Sequence, residues 1–190
     1  MSRPREYEAL KRLRVVRHFR PEPVPDEVVE AILDAARWTG SAKNRQDWRF
    51  VVITDPDQIA RLAECGDFTE PMRRAPLVIA VVGLPGSYEW DLGRVSQTIM
   101  LAAAALGVGS VPQTMHRHDC ARRVLGVPDD HWCRVVIALG YPDREAEASA
   151  RAASPFRGRL PLSELVFRDR YQANTPAADT PQTNQSPHLT

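Results

Sequence analysis

The chain has 190 residues, 43% of them apolar and 26% charged, with 25 basic against 24 acidic side chains and a formal charge of +1. That length buries one substantial core and fits one domain better than two. The balanced charge argues against a nucleic-acid or anionic-membrane binder, which carries a large basic excess, so local arginine clusters are read as sites. The three cysteines, Cys65, Cys120 and Cys133, are odd in number, widely separated and without Cys-x-x-Cys spacing, which points to unpaired thiols in a reducing compartment. No apolar run follows the basic N-terminus and none approaches the ~20 residues of a membrane span. The expectation is a soluble, cytoplasmic protein with no membrane partner.

In chain order, Tyr7, Leu10 and Leu13 predict a short amphipathic helix leading to Arg14 and Arg17. If that helix runs through the pair they share a face, and if it stops they flank a loop. Either way two guanidinium groups can meet one phosphate, a solvated basic face being the alternative. Pro21, Pro23 and Pro25 make an extended entry to a core helix starting at Asp26 and Glu27, with Val28, Val29, Ile32, Leu33 and Ala36 as its stripe. It ends in a small polar loop, Ser41 to Gln46, that opens onto Trp48 and a strand from Phe50 to Thr54. Small residues there admit a flat ligand, and Asn44 and Gln46 both donate and accept hydrogen bonds.

Asp55, Pro56 and Gln58 read as N-cap, first helical residue and capping-box partner of a helix that Gly66 ends. Leu77 to Val82 is continuously apolar and β-branched, hence a strand buried on both faces. Trp90 to Leu106 is the longest helix, its stripe Leu92, Val95, Ile99, Met100, Ala103 and Leu106, and its alanines admit a close neighbour. Gly109 to Met115 is a strand-like piece broken by Pro112, which fits an edge or a backbone departure toward a ligand. Asp119 caps a short helix to Leu125, and Cys133 to Leu139 reads as another continuous apolar strand before Gly140. Helices and strands without strict βαβ alternation read as α+β, with helices on both faces of a small sheet. Leu160, Leu162, Leu165 and Val166 need a surface to bury against. The composition after Tyr171 predicts a disordered tail over 172–190, leaving 1–171 as the single domain.

No Gly-x-Ser-x-Gly occurs, no cysteine sits in an activating context, and Gly107-Val108-Gly109 lacks the third glycine of a dinucleotide turn. His116 and His118, with Asp119 and Cys120 nearby, lack a third ligand and read as surface histidines, so no metal site is assigned. Trp38 and Trp48 read as core aromatics before pocket walls. The remaining set is two arginines near the N-terminus, the Asn/Gln loop, the proline-broken strand, and Arg157 with Arg159. These are the parts of a flavin mononucleotide site, with arginines for the phosphate and amides for the pyrimidine edge or ribityl hydroxyls.

Arg14-Val15-Val16-Arg17-His18-Phe19, Ser41-x-x-Asn44-x-Gln46-x-Trp48, Asp91-Leu92-Gly93-Arg94, Leu125-Gly126-Val127-Pro128, Leu139-Gly140-Tyr141-Pro142 and Arg157-x-Arg159-x-Pro161-Leu162 together resemble the FMN-dependent nitroreductase family, from about Lys11 to Val166. The resemblance implies a dimeric three-layer α-β-α sandwich whose C-terminal segment is exchanged across the interface. It implies that Arg14, Val15 and Arg17, with Arg157 and Arg159, stand where the family holds the FMN phosphate. Ser41, Asn44 and Gln46 would reach the flavin from the other subunit, and Gln113 and Thr114 would offer backbone N–H groups to its N5. The implied activity passes hydride from NADH or NADPH through the flavin to a small acceptor such as a nitroaromatic or quinone, in ping-pong fashion. No side chain is then needed as chemical catalyst. Dehydrogenase, dehalogenase or enone reductase chemistry on the same fold, and a non-redox anion or nucleic-acid binder, are the alternatives. Leu13, Val15 and Asp47 depart from the family's usual arginine, serine and proline.

Overall fold

Four antiparallel strands, β1 (Trp48–Ile53), β2 (Leu77–Gly83), β3 (Gly109–Thr114) and β4 (Trp132–Gly140), form one sheet in the order β1-β2-β4-β3 in a computed structural model that describes residues 4–155 and 158–171. The uninterrupted apolar run of β2 places it inside the sheet, and every one of its residues is buried. Leu77, Ile79 and Val81 face one core, and Val78, Ala80 and Val82 the other, as the two-residue period requires. Pro112 lies on β3, an edge strand, where its missing N–H costs no ladder bond to a further strand.

The first core is covered by α2 (Asp26–Arg37) and α5 (Glu89–Ala105), the second by α3 (Pro56–Ala63), α4 (Glu70–Arg73) and α6 (His118–Leu125). The layering is therefore α-β-α. Two amphipathic helices, α1 (Arg5–Arg12) and α7 (Arg144–Ala153), bury no residue. The chain divides into one unit ending at Ala153 and a second beginning at Ser154. Within the second, α8 (Leu162–Leu165) leaves Leu160, Leu162, Leu165 and Val166 exposed, and the Phe167 and Tyr171 rings lie 4.7 Å apart. The tail over 172–190 lies outside the described residues.

Several expectations change. Helix α1 stops at Arg12, Leu13 being extended, so Arg14 and Arg17 lie on a loop. Asp55 does cap α3 by accepting from the Asp57 N–H at 3.0 Å, but Gln58 reaches to the Val124 carbonyl of α6 at 3.4 Å instead of closing a capping box. Arg117, not Asp119, precedes α6. Trp48 is core, whereas Trp38 is 75% exposed at the end of α2, beneath the Arg37 guanidinium. Leu106 is exposed because α5 ends one residue earlier. The cysteines are not all free: α3 and α6 pack on the same face and bring Cys65 and Cys120 together as a disulfide, leaving only Cys133 unpaired. Burial pushes the Cys133 thiol up to about 12.

Arg122 bridges Asp119 and Asp129 at 2.7 and 2.8 Å, and its guanidinium holds the Asp119 carboxyl below its ordinary 3.8. A carboxyl depressed on folding stabilises the native state above its unfolded value, and that contribution is lost as pH falls through the native value. A carbon-detected NMR titration is expected to place the Asp119 midpoint below 3.8, and Arg122→Gln is expected to raise it. The Asp119 carboxylate is solvent-exposed, so the change in melting temperature at neutral pH stays small.

Candidate functional site

A cleft of about 650 Å³ opens where the loop after α1, the end of α5, the start of β3 and the start of α7 meet. Arg12, Arg14, Arg144 and Arg151 line it from two sides. The first pair comes from the N-terminal segment and the second from one face of α7, two helical turns apart. Ala104, Ala105 and Gly107 to Ser110 supply a floor of small residues. Gly109 is required here: a Cβ would lie 2.7 Å from the Val16 side chain, and its absence lets the Val16 N–H donate to the Ser110 carbonyl at 2.9 Å. That bond seats the arginine-bearing segment along the free edge of β3. Ser110 Oγ is buried in the cleft wall without a hydrogen-bond partner among the described residues, an arrangement that costs about 1–3 kcal/mol unless a ligand answers it.

Farther along the same two elements lies a second cavity of about 330 Å³, lined by Leu92, Gln97 and Met100 of α5 with Pro112, Trp132 and Arg134. Leu101 and Ser110 of the first cleft adjoin Met100 and the Val111-Pro112 step of this one, so the two follow each other along α5 and β3. The register shifts between Val81 and Gly83, leaving one extra residue in β4 there. Such a bulge re-aims side chains. Arg134 beside it pairs with Glu89 at 2.6 Å and lies over the Trp132 ring.

Beyond the second cavity, at the end of β3, the sheet presents a backbone donor. Met115 N–H donates to the Arg134 carbonyl, so in the alternation of an antiparallel pair Gln113 opposite Val136 is also hydrogen-bonded to β4. Thr114 opposite Val135 belongs to the other class, and its N–H points out from the sheet edge. The register therefore commits the Gln113 N–H to the ladder and leaves the Thr114 N–H outside it. Gln113 is buried, its amide donates to the Phe68 carbonyl at 3.0 Å, and its Oε1 has no partner among the described residues.

The loop after α2 is held in advance. Lys43, Asn44 and Gln46 all take positive φ near 50°, a conformation costing of order 1–3 kcal/mol each that clusters at ligand-clamping loops. Ser41 Oγ accepts from the Gln46 N–H at 2.9 Å, the Gln46 amide donates to Asn44 Oδ1 at 3.0 Å, and the Ala42 N–H donates to Asp91 at 3.0 Å. The exposed Asn44 and Gln46 and half-buried Ser41 do not line the arginine cleft of their own chain.

Of the phosphate-binding set, Arg14 lines the cleft and Val15 packs against both cores. Arg17 lies beside the cleft, where its N–H and that of His18 donate to the Glu147 carboxylate. Arg157 lies outside the described residues, and Arg159 belongs to the second unit, its guanidinium donating to the Gly158 carbonyl. Arg144, Arg151 and Ser110 were not among the sequence candidates. The helical spacing of the two arginines within an alanine- and glutamate-rich stretch was the available signal. His116 accepts from the Asp67 N–H and meets the Phe68 ring edge-on, and no cluster of three or more metal-ligating side chains exists among the described residues. Nor is any described helix long and apolar enough to cross a membrane.

A model of the nitroreductase family matches residues 10–65 and 69–141. A protein of Methanothermobacter thermautotrophicus bearing the provisional name NADH dehydrogenase/NAD(P)H nitroreductase is 32% identical over 145 residues, covering 71% of this chain and 76% of its own. A Thermus thermophilus protein named NADH dehydrogenase is 28% identical, covering 84% and 93%. The solved structure of an FMN-dependent nitroreductase from Clostridium difficile R20291 superposes with a TM-score of 0.70 at 23% identity, covering 87% of this chain and 98% of that one.

Proposed function

Since the chain belongs to the nitroreductase family, we propose that it is an FMN-dependent oxidoreductase that takes electrons from NADH or NADPH and passes them to a small organic acceptor, such as a nitroaromatic or quinone, with donor and acceptor using one pocket in turn. The observation that carries this reading is the cleft that joins Arg12, Arg14, Arg144 and Arg151 to the partnerless Ser110 hydroxyl. Four guanidinium groups and a buried hydroxyl fit a dianionic phosphate ester, and the neutral walls beyond fit a flat ring.

FMN, when bound, supplies two-electron hydride chemistry. The chain's own residues bind and orient it. The arginines take the phosphate, Ser110 its ester or ribityl oxygens, and the outward N–H of Thr114 a ring acceptor. Arg17 adds positive charge near the site, which favours an electron-rich ring. Leu92, Met100, Pro112 and Trp132 keep water from the reacting face.

The active form we propose is a homodimer. Ser41, Asn44 and Gln46 are pre-shaped yet do not line their own cleft, and Trp38, Trp90, Leu160, Leu162 and Leu165 are exposed apolar side chains. A second copy answers both facts by covering the apolar residues and presenting its loop to this cleft, with Arg159 and Arg157 of the C-terminal segment completing the phosphate site. The deciding measurement is the visible spectrum after adding FMN and removing the excess by gel filtration. Retained yellow colour, bleached anaerobically by NADH or NADPH, is expected, and its preference between the two identifies the donor. A colourless protein at micromolar FMN overturns the proposal.

A further inference from the structure

A third pocket, of about 500 Å³, lies on the opposite layer of the molecule, lined by His116, Arg117, His118, Asp119, Cys120 and Arg123. Cys120 in its lining is disulfide-bonded to Cys65. The two sulfurs differ in access: Cys65 is fully buried, whereas Cys120 is half-buried and faces the pocket. Cys120 is also the third residue of α6, where free backbone N–H groups and the helix dipole favour a thiolate. Of the charges around it, Arg117 is paired with Asp67 at 2.6 Å and Asp119 with Arg122 at 2.7 Å, while Arg123 forms no ion pair within 4 Å among the described residues.

The same bond is wired to the sheet edge. The Arg117 N–H donates to the Cys65 carbonyl at 2.9 Å, and its guanidinium donates to the carbonyls of Glu64 and Gly66, so the turn after α3 is clamped to the start of α6. Gly66 in that turn lies so close to β3 that a Cβ would stand 2.7 Å from the Thr114 carbonyl oxygen. The turn therefore packs directly against the Thr114 backbone.

We propose that Cys65–Cys120 is a thiol–disulfide exchange site for small anionic thiols, and that its redox state sets how firmly the Thr114 backbone is held. An external thiolate attacks Cys120 Sγ, the S–S bond breaks, and Cys65 leaves with the bonding pair and takes up a proton. A second external thiolate then attacks the external sulfur of the mixed disulfide, and Cys120 leaves as a thiolate stabilised by the helix start. Two external thiols are oxidised to one disulfide, and the protein bond accepts their two electrons. The consequence for FMN rests on the function proposed above, but the exchange itself does not.

The test uses the full-length chain and glutathione as probe. In the oxidised protein, alkylation without reductant is expected to leave Cys65 and Cys120 unmodified, and glutathione to expose both without unfolding. Cys65→Ser, which leaves the Cys120 thiol free, is expected to form a mixed disulfide on Cys120 when given oxidised glutathione, releasing one reduced glutathione, and to do so more slowly when Arg123→Gln is added or salt is raised. Hydrogen exchange over residues 113–117 of the FMN-free protein is expected to rise at least about fivefold on reduction. Free alkylation of both cysteines in the untreated protein, or a bond that resists glutathione until the chain unfolds, overturns the exchange site. Unchanged hydrogen exchange overturns the link to Thr114. Because none of these readouts needs flavin, exchange without FMN binding defeats only the proposed function, and FMN binding without exchange defeats only this inference.

Discussion

Replacing Arg12 and Arg14 together by alanine is expected to leave a folded protein whose affinity for FMN falls about a hundredfold or more, while its affinity for riboflavin changes little. Hydrogen bonds to a charged group contribute about 1.5–3 kcal/mol each. Both arginines keep contact with solvent, so the lower figure applies, and two such losses amount to about 3 kcal/mol, roughly two decades in Kd. Quenching of flavin fluorescence measures both ligands. The control is Arg37→Ala with Arg74→Ala, which removes the same two charges from ion pairs with Asp34 and Glu70. If the control weakens FMN as much as the cleft variant, general charge and not the cleft is responsible. If riboflavin falls in parallel with FMN, the arginines do not meet the phosphate.

The second large effect is on stability. Ile79→Ala is expected to lower the unfolding free energy by about 2–5 kcal/mol, because the side chain is fully buried at the centre of β2 and the surrounding sheet cannot collapse into the space. For a chain of this size that corresponds to a fall of about 4–20 °C in melting temperature. Val52→Thr, on edge strand β1 at a position 42% exposed, is expected to change stability by less than about 0.5 kcal/mol. Urea unfolding of the two variants separates the cases. Equal effects would mean that β2 is not the centre of the core.

The sheet and its layers were legible because burial imprints a local period. The continuous apolar run of β2 identified the doubly covered strand, and the stripes on α2 and α5, Leu106 excepted, named residues that do face the first core. Pro112 marked the edge strand through a single missing donor. The errors fall where a side chain chooses between a local partner and a distant one. Gln58 had a plausible partner three residues away and took the Val124 carbonyl of another helix. Trp38 has a core-like side chain but sits past the last turn that faces the sheet.

The amino-acid sequence by itself determined the four strands and the core helices α2, α3, α5 and α6, which face each buries, and, through dispersed motifs, the family to which they belong, whereas α4, α7 and α8 were not read from it. Period and propensity act between residues within a few positions of one another, so they suffice for these. Three features were decided only by the tertiary structure. Arg144 and Arg151 join Arg12 and Arg14 in one cleft, Cys65 reaches Cys120 across 55 residues, and the Thr114 N–H, unlike that of Gln113, turns outward. The first two depend on which helices share a face of the sheet. The third depends on register, in which a slip of one residue exchanges the inward and outward donors.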